Sequence, residues 1–463
     1  MARVHFIGIG GSGLSAIARL LLERGDTVTG SDRVLSPFAS ELQKIGATVY
    51  VGHHPRNVAG ADWVVRSSAI PDDNLEVQAA QLANIPVYKR TDFLGQLMTD
   101  KVGIAIAGTH GKTTTTAMLA WVLTELGRDP SFIVGSTVKN LGVNAHAGKG
   151  NAFVIEADEY DRMFLGLKPR IEVVTNLEHD HPDCYPTFED MYAAFEAFVD
   201  LLPADGTLIV CADDNGSASL ITRARKAGRP VVGYTVQGEM TISSPQWIQA
   251  RTLRLSPSGG TSFYVSSNLT GTLSSVKVDL QIPGVHNVRN ALAVLSVAEV
   301  LGISAKSTAE ALSKFSGTGR RFELRGEVGG VTVIDDYAHH PTEIMATLAA
   351  ARLRYPGRHI WAVWQPHTYS RTRTLFAEFS RAFKDADEVI VSEVYASREP
   401  KQDFTAAEIV SAMPHPSARF IGGLKEISDY LIQYLQSGNV LIVLSAGDAD
   451  QISTDVLAGL QER

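Results

Sequence analysis

Lys112 and Thr113 close the short turn GTHGKT, residues 108–113, between the apolar run IAIA and a helix-like segment. Such a turn aims backbone N–H groups at phosphate oxygens, and the following helix adds the positive end of its dipole. A lysine there reaches the outer phosphates, and a hydroxyl can ligate the accompanying Mg²⁺. Gly108, Thr109, His110, Gly111, Lys112, Thr113 and Thr114 thus form a candidate triphosphate cradle. The turn is shorter than the common G-x-x-x-x-G-K-[ST] loop, since Ile106 stands where the first glycine would fall. Threonine is a mediocre helix former, so the run of threonines 113–116 at a helix start suggests positional use. His110 is either beside the phosphates or simply exposed.

Two polar clusters follow apolar runs downstream. FVIEADEYD exposes Glu156, Asp158, Glu159 and Asp161, and VVTNLEHDHPD exposes Asn176, Glu178, His179, Asp180, His181 and Asp183. Ligands gather beyond the carboxyl ends of strands in open α/β sheets. Oxygen-rich clusters there suit Mg²⁺, and imidazole suits Mn²⁺ better.

A different cradle lies near the start. Gly8, Gly10 and Gly13 match G-x-G-x-x-G after the strand-like RVHFIGI, and Asp32 ends the next such run. The pattern fits a dinucleotide such as NAD, which would make the chain an oxidoreductase. The same glycines let a helix start approach any diphosphate, including that of a UDP-sugar. Gly10, Gly11, Ser12, Gly13 and Asp32 serve either reading, and RSSAIP places Ser67 and Ser68 at another strand end.

These sites need strands that stop at one edge and helices that start there. Residues 1–99 alternate strand-like runs (RVHFIGI, TVTGSD, ATVYVG, DWVVRSSAI, PVYKR) with helical segments, which predicts a parallel sheet covered on both faces. Residues 100–315 repeat the logic with KVGIAIAG, NAFVIEADEYD, IEVVTNLEHDHPD, GTLIVCADD and RPVVGYTV. Alternating polar and apolar residues from 239 to about 283 predict antiparallel hairpins, and HNVRNALAVLSVAEVLG returns to helix. Residues 316–463 form a third unit with VTVIDDY, HIWAVWQP, EVIVSEVY and NVLIVLSAGD as strands. At roughly 150 residues per domain, 463 residues allow three domains.

Composition sets the remaining bounds. Hydrophobic residues make up 44% and charged residues 20%, an ordinary globular balance. The net charge of −8 argues against a general nucleic-acid binder. The two cysteines, Cys184 and Cys211, make a disulfide scaffold improbable, and Cys211 ends an apolar run as a core thiol would. No leader pattern and no apolar run of about 20 residues is present, so a cytoplasmic protein without membrane insertion is expected.

Taken together, GIGGSG, GTHGKTTTT, EADEYD, NLEHDHPD, GVHNVRNALA, GTGRRFE, DDYAHHPTE and QPHTYSRT resemble the ATP-dependent Mur ligases of peptidoglycan synthesis, from residue 5 to about 450. The resemblance implies a three-domain α/β fold: a Rossmann-like N-terminal domain for the UDP-sugar, a P-loop ATPase central domain, and a Rossmann-like C-terminal domain for the amino acid. One cradle then takes the diphosphate of UDP-N-acetylmuramate and the other takes ATP. By resemblance, Thr113, Glu156 and His181 hold Mg²⁺, which Mn²⁺ can replace. Asn287 and Asn290 contact adenine beside His286. Arg321 lies near ATP, and Asp336 and Tyr337 contact nucleotide and substrate. His339 and His340 form the HHP motif of muramate-linking members, with His340 among the catalytic candidates. His367 and Arg371 lie near the incoming L-alanine, as in the alanine-adding branch. The resemblance implies a monomer or weak homodimer. Two positions depart from that branch: Thr368 replaces a common arginine, and Tyr160 favours members that attach a preformed tripeptide. No lysine occurs from 182 to 200, so no carbamylated lysine is assigned.

Overall fold

The computed structural model describes residues 1–236, 246–269 and 275–463, and Ser12 in its backbone alone. The first sheet joins β1 (Arg3–Ile7), β2 (Thr27–Asp32), β3 (Thr48–Val51), β4 (Trp63–Arg66) and β5 (Val87–Lys89). All pairings are parallel, in the order β3-β2-β1-β4-β5. The order reverses between β1 and β4, where a doubly wound sheet opens a crevice. The loop 8–11 and Ser67 stand on either side of it.

Among the described residues the second sheet has ten strands: β6 (Val102–Ala107), β7 (Ser131–Val138), β8 (Val143–His146), β9 (Ala152–Glu156), β10 (Ile171–Val174), β11 (Thr207–Cys211), β12 (Val231–Thr235), β13 (Gln246–Leu255), β14 (Thr261–Ser267) and β15 (Val276–Asp279). Its order is β15-β14-β13-β12-β11-β10-β6-β9-β7-β8. The strands from β13 to β7 run parallel, while β8, β14 and β15 are antiparallel additions at the two edges. Strand β6 lies between β9 and β10, so the turn after it emerges between the two polar clusters. The expected hairpins form, although residues 237–245 and 270–274 of that stretch lie outside the described residues.

The third sheet contains β16 (Glu323–Val328), β17 (Val331–Asp336), β18 (Ile360–Trp364), β19 (Glu388–Val391), β20 (Ala418–Phe420) and β21 (Val440–Leu444), in the order β16-β17-β21-β18-β19-β20. It is parallel except for β16. Strands β7, β8, β16 and β20 were not expected from sequence. Strands β8, β16 and β20 are sheet edges, where one neighbour and one wet face permit the polar residues that hide an apolar signature, and β7 lies next to an edge, between β8 and β9.

One apolar core runs through the first and second units, joining Phe93, Leu97 and Met98 to Phe164, Leu167 and Phe195. Backbones meet closely there, since a Cβ on Gly166 would overlap the Thr91 carbonyl. The clusters of the third unit contain no described residue before Phe322. Cys211 is buried, as expected of a core thiol. Among the described residues, no helix is long and apolar enough to cross a membrane.

Candidate active site

The turn after β6 is built around two glycines in left-handed backbone. Gly108 has φ +133° and Gly111 has φ +82°, and a Cβ on Gly111 would lie 2.6 Å from Asn290 Oδ1. Neighbouring loops brace the turn. Asn176 Oδ1 accepts from His110 N at 2.8 Å, and Thr175 Oγ1 donates to the His110 carbonyl at 2.6 Å. The helix Lys112–Glu125 starts from Gly111 without a side-chain cap, so its first N–H groups are available to an anion. Lys112 Nζ donates to the Gly108 carbonyl at 2.6 Å and to Glu159 Oε1 at 2.8 Å. Burial acts against its charge, but Glu159 and Asp158 outweigh that and hold the ammonium above its ordinary pKa. Threonines 113–116 are all buried.

Glu156, at the end of β9, accepts from Thr113 Oγ1 at 2.9 Å and from Gly135 N at 2.7 Å. Burial raises its carboxyl above the ordinary range, against the pull of Lys112. Glu159 is fully buried, which corrects its expected exposure: the Lys112 ammonium compensates it. Asp180 is buried for the same reason, beneath a guanidinium from the third unit. His181, with φ +54°, approaches Glu159 Oε1 at 3.6 Å through Nε2. Glu159 and Lys112 thus connect His181 to the turn, while Glu156 reaches it through Thr113.

Arg371 carries the third unit onto this edge. Its Nε donates to Asp180 Oδ1 at 2.7 Å, and its Nη1 lies 3.1 Å from His367 Nδ1. Its Nη2 lies 3.4 Å from His181 Nδ1. Thr368 is buried, with φ +63°. Tyr160 donates to Asp183 at 3.1 Å, and the Arg398 guanidinium sits 4.2 Å above its ring. Arg398 also donates to Asp183 at 2.6 Å.

A cavity of about 260 Å³ separates the second and third units. Its walls include His110, Thr113, Thr114, Asn287, Asn290 and Arg321. Asn287 Nδ2 donates to the Pro283 carbonyl at 2.7 Å, and Asn290 Nδ2 donates to Asn287 Oδ1 at 3.3 Å. Arg321 Nη1 approaches Glu343 at 3.6 Å and its guanidinium lies 5.2 Å from the Tyr337 ring centroid. Asp336 accepts from Phe322 N and Ala338 N, both at 2.8 Å, and burial pushes its carboxyl up to about 6. Burial pulls His286 and His340 down to about 4 and His339 to about 3, so these imidazoles are neutral near pH 7. His110 is not exposed: its Nδ1 lies 3.2 Å from Glu343 Oε1. Burial opposes its charge, but Glu178 and Glu343 prevail and raise it to about 9.

In the first unit, Asp32 braces the glycine loop, accepting from Gly10 N at 2.8 Å and Arg33 N at 2.7 Å. Gly11 caps the helix Ser12–Glu23 with no side-chain bond, and the side chain of Ser12 lies outside the described residues. Ser67 packs on the loop, where a Cβ on Gly8 would lie 3.2 Å from its own Cβ, and Ser68 is exposed. Arg90 covers Gly13 so closely that a Cβ there would overlap its guanidinium.

A model described as "Mur ligase family, catalytic domain" matches residues 3–102, "Mur ligase middle domain" matches 106–298, and "Mur ligase, glutamate ligase domain" matches 320–447. A UDP-N-acetylmuramate–L-alanine ligase of Renibacterium salmoninarum is 42% identical over 462 residues, covering 99% of this chain and 96% of the relative. The chain belongs to the Mur ligase family. A second relative of the same description, from Desulfosudis oleivorans, is also 42% identical, over 99% of this chain and 98% of its own. A solved UDP-N-acetylmuramate–alanine ligase of Thermotoga maritima superposes with a TM-score of 0.80 at 28% identity, with full coverage of both chains. A murein peptide ligase of Psychrobacter arcticus gives 0.72 at 27% identity, over 100% of this chain and 99% of that one.

As a Mur ligase, the chain carries its phosphate turn, acidic clusters and third-unit basic residues at one edge, while the first glycine loop stands on a separate sheet. Family membership does not favour the oxidoreductase reading of that loop. Several participants were not singled out from sequence. Glu343 lies two residues past the HHP motif and ties Arg321 to His110. Arg90, hidden in a strand-like run, faces both Gly13 and the Asp158 side of the central unit. Asp213, at the end of β11, holds Arg289 at 2.8 Å on the cavity wall.

Proposed function

We propose that this Mur ligase joins L-alanine to UDP-N-acetylmuramate at the expense of ATP, in the cytoplasmic stage of peptidoglycan synthesis. The carrying observation is likeness along the whole chain to UDP-N-acetylmuramate–L-alanine ligases, at 42% identity. The geometry suits that chemistry. ATP fits the cavity with its phosphates at the turn 108–114, and the UDP diphosphate fits the loop 8–13. Thr113 Oγ1 and Glu156 Oε1, 2.9 Å apart, are oxygen donors of the kind Mg²⁺ takes, and the imidazole of His181, connected to the turn through Glu159 and Lys112, would suit Mn²⁺. Bound there, the ion supplies charge neutralisation at the phosphates.

The chain's residues position and stabilise. The lactyl carboxylate attacks the γ-phosphorus, ADP leaves, and an acyl phosphate forms. The amine of L-alanine then displaces phosphate from the acyl carbon and loses a proton. No enzyme nucleophile is needed, so catalysis rests on alignment and electrostatics. Lys112 and Arg321 offset charge on the transferring phosphoryl group. Arg371 and His367 present the amino-acid side of the site. The third unit, seated on Asp180 through Arg371, excludes the water that would hydrolyse an acyl phosphate.

The test supplies purified protein with ATP, Mg²⁺ and UDP-N-acetylmuramate, plus either free L-alanine or the preformed tripeptide. ADP release and product mass are measured. Turnover with free L-alanine is expected, and turnover with the tripeptide alone would overturn the reading.

A further inference from the structure

Away from Thr113 and Glu156, the wall of the nucleotide cavity holds a second cluster of metal-competent donors. His110, Glu178 and His340 each offer one ligand atom, and these atoms all lie within 4.8 Å of one another. His110 Nε2 is 3.7 Å from Glu178 Oε2, and His340 Nδ1 is 3.9 Å from the same oxygen. The two imidazole rings are 4.6 Å apart between centroids. His110 comes from the phosphate turn, Glu178 from the loop after β10, and His340 from the start of the helix Pro341–Arg354 in the third unit.

Two further observations point to a ligand. His110 Nε2, the nitrogen that faces Glu178, is buried without a hydrogen-bond partner among the described residues. Buried polar nitrogens are ordinarily satisfied, so orphaned ones call for an explanation. The outer contacts are also those of a metal site. Metal-binding histidines usually give their other ring nitrogen to a carboxylate. His110 does so through Nδ1, 3.2 Å from Glu343 Oε1. Glu178 Oε2 is held by Thr342 Oγ1 at 2.7 Å. His340 Nδ1 accepts only a long 3.3 Å bond from Thr342 N, which an ion at that nitrogen would replace.

We propose that His110, Glu178 and His340 form a binding site for a borderline-soft divalent cation of the Zn²⁺ class, distinct from the Mg²⁺ site at Thr113 and Glu156. Two imidazoles and one carboxylate with an open fourth position match a zinc donor set, whereas Mg²⁺ prefers oxygen. Zinc–ligand distances of about 2.0–2.2 Å set tetrahedral donors roughly 3.3–3.6 Å apart, so the 3.7 and 3.9 Å spacings to Glu178 Oε2 must shorten by a few tenths of an ångström. His110 and Glu178 also line the nucleotide cavity. His340 belongs to the third unit and the other two ligands to the second, so the ion staples the closed arrangement. Its expected effect on a ligase that must reopen for product release is inhibition.

The experiment uses the full chain without nucleotide or substrate, so it does not depend on the assigned activity. Zn²⁺ is titrated against a chromophoric chelator, and Co²⁺ is followed by its visible spectrum. One ion per chain with a tetrahedral Co²⁺ spectrum is expected. His340→Ala and Glu178→Gln should abolish stoichiometric binding, and Glu343→Gln should weaken it by about 10- to 100-fold through lost orientation of His110. His181→Ala should leave affinity unchanged. Circular dichroism checks that each variant folds, and His110→Gln substitutes if one does not. Failure to bind one ion, binding that survives His340→Ala in a folded chain, or binding lost in His181→Ala would overturn the proposal.

Discussion

In the proposed mechanism phosphoryl transfer turns on Lys112. It is partly buried, and its ammonium is held by Glu159 beside the turn that starts the helix. Lys112→Ala should lower kcat by roughly 10²-fold or more, as loss of a positioned electrostatic group does. UDP-N-acetylmuramate affinity, measured by calorimetry, should hardly move, because the first glycine loop is on another sheet. Wild-type turnover would remove Lys112 from the mechanism. A second residue-scale expectation concerns Glu76, buried in the first unit. Burial alone would raise its carboxyl. The His5 ring, the Ser31 hydroxyl and the Asn57 amide together prevail and bring it down to about 2. Its stabilising contribution is therefore complete above about 4.5 and lost as pH falls from there towards 2. The size is on the order of 3 kcal/mol, from 1.36 kcal/mol per pKa unit. Acid unfolding of Glu76→Gln followed by circular dichroism should lack that part of the pH dependence, and an unchanged profile would refute the assignment.

Among the elements, the phosphate turn depends on glycine at a position where backbone and packing agree. Gly111 has φ +82° and faces Asn290 Oδ1, so Gly111→Ala meets two penalties at once. The left-handed backbone alone costs about 1–2 kcal/mol. ATP affinity should fall by about tenfold or more, because 1.4 kcal/mol is a factor of ten. Equilibrium binding of a non-hydrolysable ATP analogue measures it, and undiminished affinity would show that Asn290 simply yields. This turn was readable in the sequence because Gly, Lys and Thr occur at fixed offsets between two apolar runs. The parallel strands were readable for a related reason: strands buried on both faces are written in Val, Ile, Leu and Ala. The edge strands were not. ELRGEV at β16 places charge on an edge, and ARF at β20 spans three residues, too short for periodicity to register. Nor could sequence show that Glu159 and Asp180 would be buried. Their compensating partners, Lys112 and Arg371, come from 47 and 191 residues away, and no local pattern encodes such pairings.

Across the whole molecule, the two seams between units differ in kind. The first and second units share apolar surface, with Phe93 and Met98 on one side and Phe164 and Leu167 on the other. The third unit meets the second through Arg371–Asp180, Arg398–Asp183, Thr342–Glu178 and His110–Glu343. Breaking the buried pair by Asp180→Ala leaves Arg371 uncompensated and should disfavour the closed form by about 3–5 kcal/mol. Small-angle scattering would register a larger radius of gyration, and an unchanged radius would mean that other contacts hold the unit in place. The difference between the seams also sets how the chain melts. Apolar burial carries the heat-capacity change of unfolding, and polar burial opposes it. Calorimetry should therefore show two endotherms rather than one or three: an isolated step for residues beyond about 320, and a joint step for everything before them. Since the cavity draws its walls from both sides of the polar seam, a ligand there stabilises both bodies only while they touch. ATP analogues should draw the two endotherms together, and the UDP-sugar alone should shift just the joint one.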